Sequence, residues 1–159
     1  MYDEADFFTL ENIASIKDKT ETQDAPAWGL LEQNYAAISD LLSKARRTIT
    51  YNDFYYTNMV VAKDNSSALM FDYNLLGKGY AYTDVRNVLS SLSEEAGKAF
   101  LKEYGKFDPA EKALDDVVSV VVTLHLACLR ENFPWWAQTL LDELNTTFIE
   151  KIELLRRFQ

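Results

Sequence analysis

The sequence predicts a mainly helical α+β domain with one small antiparallel β-hairpin. Three observations predict it. Apolar residues recur at helical spacing from residue 26 to about residue 44 and again after residue 83. Between these stretches lie three short β-prone segments, Thr48–Tyr51, Met59–Ala62 and Ala68–Phe71. The turn-rich link Lys63-Asp64-Asn65-Ser66-Ser67 joins the last two, as a hairpin requires.

The elements follow in chain order. Residues 1–25 are polar and acidic, with one short amphipathic piece. Thr9 can cap a helix carrying Leu10, Ile13 and Ile16 inward, and Lys17–Asp24 reads as a loop. Pro26 suits the first turn of the next helix, in which Leu30, Leu31, Asn34, Tyr35, Ile38, Leu41, Leu42 and Ala45 share a face. After the strands, Gly77-Lys78-Gly79 reads as flexible loop backbone. Thr83 or Asp84 can cap a helix burying Val85, Val88, Leu89 and Leu92. Ser91 and Glu94 fit a capping box, and Gly105 is a natural terminator. Asp108-Pro109-Ala110-Glu111 starts a helix that is apolar nearly all round from Val117 to Leu129, as a core helix is. Pro134 interrupts it. A last helix carries Leu141, Leu144, Phe148, Ile152 and Leu155.

Composition narrows the function. The chain has 159 residues, 48% of them hydrophobic and 26% charged, which suits one globular lobe over residues 1–159. Within it we distinguish the acidic segment 1–25, a central region 26–105 and C-terminal helices 106–159. The net charge of −9 argues against nucleic acid as a partner, because binding to a polyanion starts from a basic surface. One cysteine, Cys128, excludes an internal disulfide; with the single His125 it also excludes an ordinary zinc site, while an Asp/Asn oxygen site stays open. Val117–Leu129 is too short to span a bilayer, and the acidic start is unlike a signal peptide, so a cytoplasmic protein without a membrane partner is expected.

The chemistry-bearing segment is Tyr51-Asn52-Asp53-Phe54-Tyr55-Tyr56-Thr57-Asn58, followed after the hairpin by Phe71-Asp72-Tyr73. Asp53 and Asn58 bracket a loop, and Asp72 closes a strand. Kinases use this order because a loop Asp takes the hydroxyl proton while an Asn and a later Asp hold magnesium against the phosphates. Over about residues 28–105 the sequence resembles the aminoglycoside phosphotransferase and choline kinase-like family. That family's signature is His-Gly-Asp-x4-Asn, a hydrophobic strand, a hairpin, a hydrophobic-Asp motif, and a further Asp opening a helix. Asn58-Met59-Val60-Val61 and Ala68-Leu69-Met70-Phe71-Asp72-Tyr73 look like the family's strands.

The resemblance implies a protein-kinase-like C-terminal lobe. It implies Asp53 as catalytic base, Asn58 and Asp72 as Mg2+ ligands, and Asp84 and Tyr51 as structural support. It further implies ATP as phosphoryl donor and a small, cationic hydroxyl compound, such as an amino sugar or choline, as acceptor. Tyr51-Asn52 stands where the family has His-Gly. Residues 1–50 contain no Gly-rich loop and no strand-borne Lys, so the chain reads as the C-terminal lobe without its nucleotide-covering partner. The expected consequence is little or no turnover by these residues alone, since half of the phosphate clamp is missing. The partners expected are then a separate N-terminal lobe or a second copy bound through the exposed lobe face.

Two other readings stay open. One is a non-catalytic kinase-like binding module with an exposed apolar surface. The other is an all-helical interaction domain without a hairpin at 59–71. Other residues take plain roles: His125 and Cys128 as core residues, and Trp135-Trp136 as packing at a helix start. Glu131, Asp142, Glu143 and Glu150 read as solvated faces, and Arg156-Arg157 as favourable charge at a helix end.

Overall fold

Helical periodicity before residue 45 and after residue 109 folds together. In the computed structural model, which describes residues 2–158, the chain groups into two compact units. One is helical and comprises Glu4–Ala45 and Pro109–Gln159; the other comprises Met1–Asp3 and Arg46–Asp108 and contains the strands. The mainly helical α+β class read from the sequence holds, and the boundaries between the two units fall at residues 3/4, 45/46 and 108/109.

In the helical unit, α1 (Leu10–Lys19) starts where Thr9 Oγ1 accepts the amide of Asn12 at 3.1 Å. Ile13 and Ile16 are fully buried, whereas Leu10, expected inside, is 50% exposed at the open end of the helix. The helix runs through Lys17 and Lys19 into the segment read as loop, because cations suit its C-terminus. Lys17 also pairs with Glu32 at 2.7 Å. In α2 (Pro26–Lys44), Pro26 sits in the first turn and Trp28, Leu31, Ile38 and Leu42 are buried. Trp28 is the anchor that the periodicity did not mark: Nε1 donates to Thr22 Oγ1 at 3.1 Å, and the ring meets Phe148 edge-on.

Helix α5 (Pro109–Cys128) is buried nearly all round from Ala113 to Leu124, and α1, α2 and α7 (Thr147–Leu155) pack against it. The expected single last helix is two, α6 (Trp135–Glu143) and α7 (Thr147–Leu155). The break falls at Asn145-Thr146-Thr147, residues of weak helix propensity, and Thr146 leaves helical geometry at φ −139°. Leu144, Phe148, Ile152 and Leu155 are still buried; each such side chain contributes roughly 1.5–3 kcal/mol.

Three plain readings need correction in this unit. Trp135 is 86% exposed, and Arg130 lies 5.7 Å over the Trp136 ring, so the pair does not pack inward. His125 is half-buried against Phe7, and Cys128 is half-buried rather than core. Burial, then the charge of Lys19, lowers the His125 pKa; burial raises that of Cys128. Among the described residues, no helix is long and apolar enough to cross a membrane.

In the other unit, β1 (Thr48–Thr50) pairs antiparallel with β4 (Gly77–Gly79), Thr48 opposite Gly79 and Thr50 opposite Gly77. The glycines read as loop therefore form a strand. They serve close approach: a Cβ on Gly77 would lie 1.9 Å from the carbonyl oxygen of Tyr2, which bridges to this strand. Lys78 N donates to that oxygen at 2.8 Å, and Arg47 grips both carboxylate oxygens of Asp3. The expected hairpin is β2 (Met59–Val61) with β3 (Ala68–Met70), registered Met59 to Met70. Its presence removes the all-helical reading. In its turn Asn65 takes φ 58°, and Asp64 Oδ1 accepts both the amide and the hydroxyl of Ser66, which lowers the Asp64 pKa.

Helix α3 (Tyr82–Ser91) buries Val85 and Val88, while Leu89 stays 44% exposed and Leu92 is half-buried. Neither Thr83 nor Asp84 caps it, because the helix begins two residues earlier and Ala81 is the N-cap. Helix α4 (Glu94–Tyr104) is capped by Ser93, whose oxygen accepts Ala96 N at 3.2 Å, and not by Ser91. Gly105 ends it at φ 96°, a conformation glycine adopts without strain.

Candidate functional site

All five residues singled out in the sequence fall in the strand-containing unit. Thr50 ends β1 buried, and the chain then makes a sharp change of direction. Asn52 sits at φ 62°, in the left-handed region that Asn tolerates better than most residues other than Gly. This is the position at which the resembling family carries Gly.

The bend is fixed from α3. The buried Asp84 carboxylate accepts Tyr51 N at 3.1 Å and Asn52 N at 2.8 Å. Two successive backbone donors on one carboxylate are charge-assisted bonds, among the stronger polar contacts in a fold. The Asn52 side-chain Nδ2 donates to Leu75 O at 2.9 Å, which ties the loop to the chain following β3.

Tyr51 is 5% exposed. Its hydroxyl donates to Phe71 O, the carbonyl immediately before Asp72. Its ring meets Phe54 and Tyr73 edge-on at 4.9 and 5.8 Å. Burial raises the Tyr51 pKa, and the charges of Asp53, Tyr73 and Asp72 raise it further. Asp53 and Asp72, nineteen positions apart, therefore both lie within electrostatic reach of one phenol.

Between Asp53 and Asn58 the loop closes on itself. The Asp53 carbonyl accepts Tyr55 N at 2.7 Å and Asn58 Nδ2 at 3.1 Å. Tyr56–Asn58 forms a single 3-10 turn, and Tyr56 N donates to Ser91 Oγ at 3.1 Å. With its nitrogen engaged, Asn58 keeps Oδ1 available as an oxygen donor. The hairpin extends its register one step back: Phe71 N donates to Asn58 O at 3.0 Å. Asp72 is the next residue along, at φ 65°, exposed, with Oδ1 accepting Asn74 N at 3.3 Å. The register thus brings the Asn58 and Asp72 backbones to the same end of the hairpin.

One carboxylate and one amide oxygen suit Mg2+, which keeps several waters and takes its remaining ligands from phosphates. Among the described residues, no group of three or more His, Cys, Asp or Glu is placed to hold a metal, so a closed all-protein cage of those residues is not on offer. The half-buried Asp53 carboxylate, held on a tied loop, is suited to orient or deprotonate a hydroxyl.

Sequence reasoning set Asn52 where the family has Gly but did not mark its side-chain bond, and it did not mark Ser91 or the carbonyls of Phe71 and Leu75 as parts of this site. A left-handed Asn before the loop Asp carries a readable signal only beside the family's Gly. The backbone carbonyls carry none. No family model matches the chain, and comparison with curated proteins and with solved structures finds no significant match.

Proposed function

We propose that this chain carries the phosphoryl-transfer site of an ATP-dependent small-molecule phosphotransferase, kin to the aminoglycoside phosphotransferase and choline kinase-like proteins, working in the cytoplasm. The observation that carries the reading is the double grip of Asp84 on Tyr51 N and Asn52 N. It sets the bend from which Asp53 emerges, while the hairpin register brings Asn58 and Asp72 to the same end.

In the reaction, the acceptor hydroxyl oxygen forms a bond to the γ-phosphorus of ATP. The bond from that phosphorus to the ADP oxygen breaks, and ADP leaves. Asp53 takes the hydroxyl proton. Asn58 Oδ1 and the Asp72 carboxylate would hold magnesium, which neutralises phosphate charge when bound. Tyr51, Asn52 and Asp84 hold these groups in place. The net charge of −9 favours a cationic acceptor, an amino sugar or amino alcohol.

A kinase-like module that binds without catalysis is the second reading, favoured by the exposed cross-strand pair Val60 and Leu69, at 52% and 69%. Calorimetric titration with ATP, with and without magnesium, separates the two. Magnesium-dependent binding that disappears in Asp72→Asn supports the phosphotransferase. Binding indifferent to magnesium overturns it.

A further inference from the structure

Five aromatic rings form a continuous run through the strand-containing unit. Tyr73 meets Tyr51 at 5.8 Å, Tyr51 meets Phe54 at 4.9 Å, Phe54 meets Phe100 at 5.7 Å, and Phe100 stacks on Tyr104 at 4.7 Å. Phe54 is the residue after Asp53, and its ring is held edge-on between Tyr51 on one side and Phe100 on the other. Phe100 belongs to α4 and lies outside every motif in the sequence.

The placement of α4 is itself determined. Gly97, Phe100 and Tyr104 follow at steps of three and four, so they share one face of the helix. Gly97 is buried, and a Cβ there would come within 3.0 Å of Leu89 Cδ2, which lets α4 approach α3 closely. At the other end, Tyr104 OH donates to Ala81 O, just before α3, at 3.3 Å. The helix that presents Phe100 is thus anchored on both sides of it.

We propose that Phe100 is a positioning residue for the Asp53 loop, acting through the Phe54 ring. The inference rests on the reading of Asp53 as the base. Without Phe100, Phe54 loses one of its two flanking rings, and the tied turn Asp53–Asn58 opens more often.

Amide hydrogen exchange measured by NMR on the intact chain tests this. The reporters are Tyr55 N and Asn58 N, which close the loop, with Ala62 N of the hairpin turn as reference. Phe100→Ala is expected to speed exchange at Tyr55 and Asn58 roughly tenfold, the scale of losing an edge-on aromatic partner, and to leave Ala62 unchanged. Phe100→Tyr keeps a ring in place and is expected to restore wild-type exchange. Phe100→Leu, which keeps apolar bulk without a ring, is expected to fall between them and serves if the alanine variant does not fold. Unchanged exchange at Tyr55 and Asn58 overturns the proposal, as does an equal rise at Ala62 or failure of Phe100→Tyr to rescue. Magnesium-ATP titration of the wild type is run beside it. That titration bears on the phosphotransferase reading and the exchange result on the ring contact, so the two failures are distinguishable.

Discussion

Asp84 and Asn52, thirty-two positions apart in sequence, meet through a 2.8 Å bond from the Asn52 amide to the buried Asp84 carboxylate. That carboxylate also takes the preceding amide, so one side chain on α3 fixes the bend ahead of Asp53. Asp84→Asn replaces one acceptor oxygen with a donor and removes the charge from both bonds. Loss of roughly 2–4 kcal/mol in stability is expected, read as a lower urea midpoint at unchanged slope. A shift too small to resolve would remove Asp84 from its supporting role.

Asn52 provides a backbone test of the same bend. At φ 62°, Asn52→Ala is expected to cost about 1–2 kcal/mol, because a Cβ without a compensating polar group is disfavoured there. Asn52→Gly relieves that strain while losing the bond to Leu75 O, and should remain within about 1 kcal/mol of wild type. Denaturant unfolding of the pair gives the order. Alanine more stable than glycine would contradict the left-handed assignment.

Tyr51→Phe leaves the Phe71 carbonyl without its hydroxyl donor and is expected to cost about 1–2 kcal/mol. It should also change the alkaline limb of stability. The folded pKa of Tyr51 is raised above its ordinary 10.0, by burial first and then by Asp53, Tyr73 and Asp72. The folded chain therefore keeps a proton that the unfolded chain loses. Its contribution is complete below pH 10.0 and declines as pH rises through the higher folded value. Unfolding followed from pH 9 upward should show a shallower decline in Tyr51→Phe; identical slopes would show that Tyr51 is not shielded.

His125 shifts in the opposite direction. Burial and Lys19 lower its pKa below 6.5 in the folded chain, so the unfolded chain binds the proton first. Stability from this residue is present above pH 6.5 and declines as pH falls toward the folded value. His125→Gln should flatten stability between about pH 5 and 7, the window set by the ordinary imidazole value. Retention of the full slope would place its origin in other groups.

The hairpin and most helices were legible because their signals are local. Thr9, Pro26, Gly105 and the turn around Asn65 act within a few residues of themselves. What escaped depends on contacts between distant segments. Gly77 and Gly79 look flexible in isolation, and only the backbone of Tyr2 and the side chain of Thr50 explain them. Asp84 has the composition of a helix cap, and only the folded loop shows what its carboxylate holds. Trp135, apolar beside a proline, reads as packing, yet no periodicity says which face of a short helix turns outward. The placement of Asp53 on a loop, and of Asn58 and Asp72 at one end of a hairpin, was legible from the spacing of the β-prone segments. The Asn52 side-chain bond, Ser91 and Phe100 were not, because they depend on segments and rings brought together by the fold.

The proposed phosphoryl transfer requires Asn58 and Asp72 to share a divalent cation. Manganese added with ATP, observed through paramagnetic broadening of the Asn58 side-chain amide and the Asp72 backbone amide, tests this and tolerates weak binding. Selective broadening of these two signals at low manganese, absent in Asp72→Asn, is the predicted result. Broadening that is uniform, lies elsewhere, or persists in Asp72→Asn would contradict it.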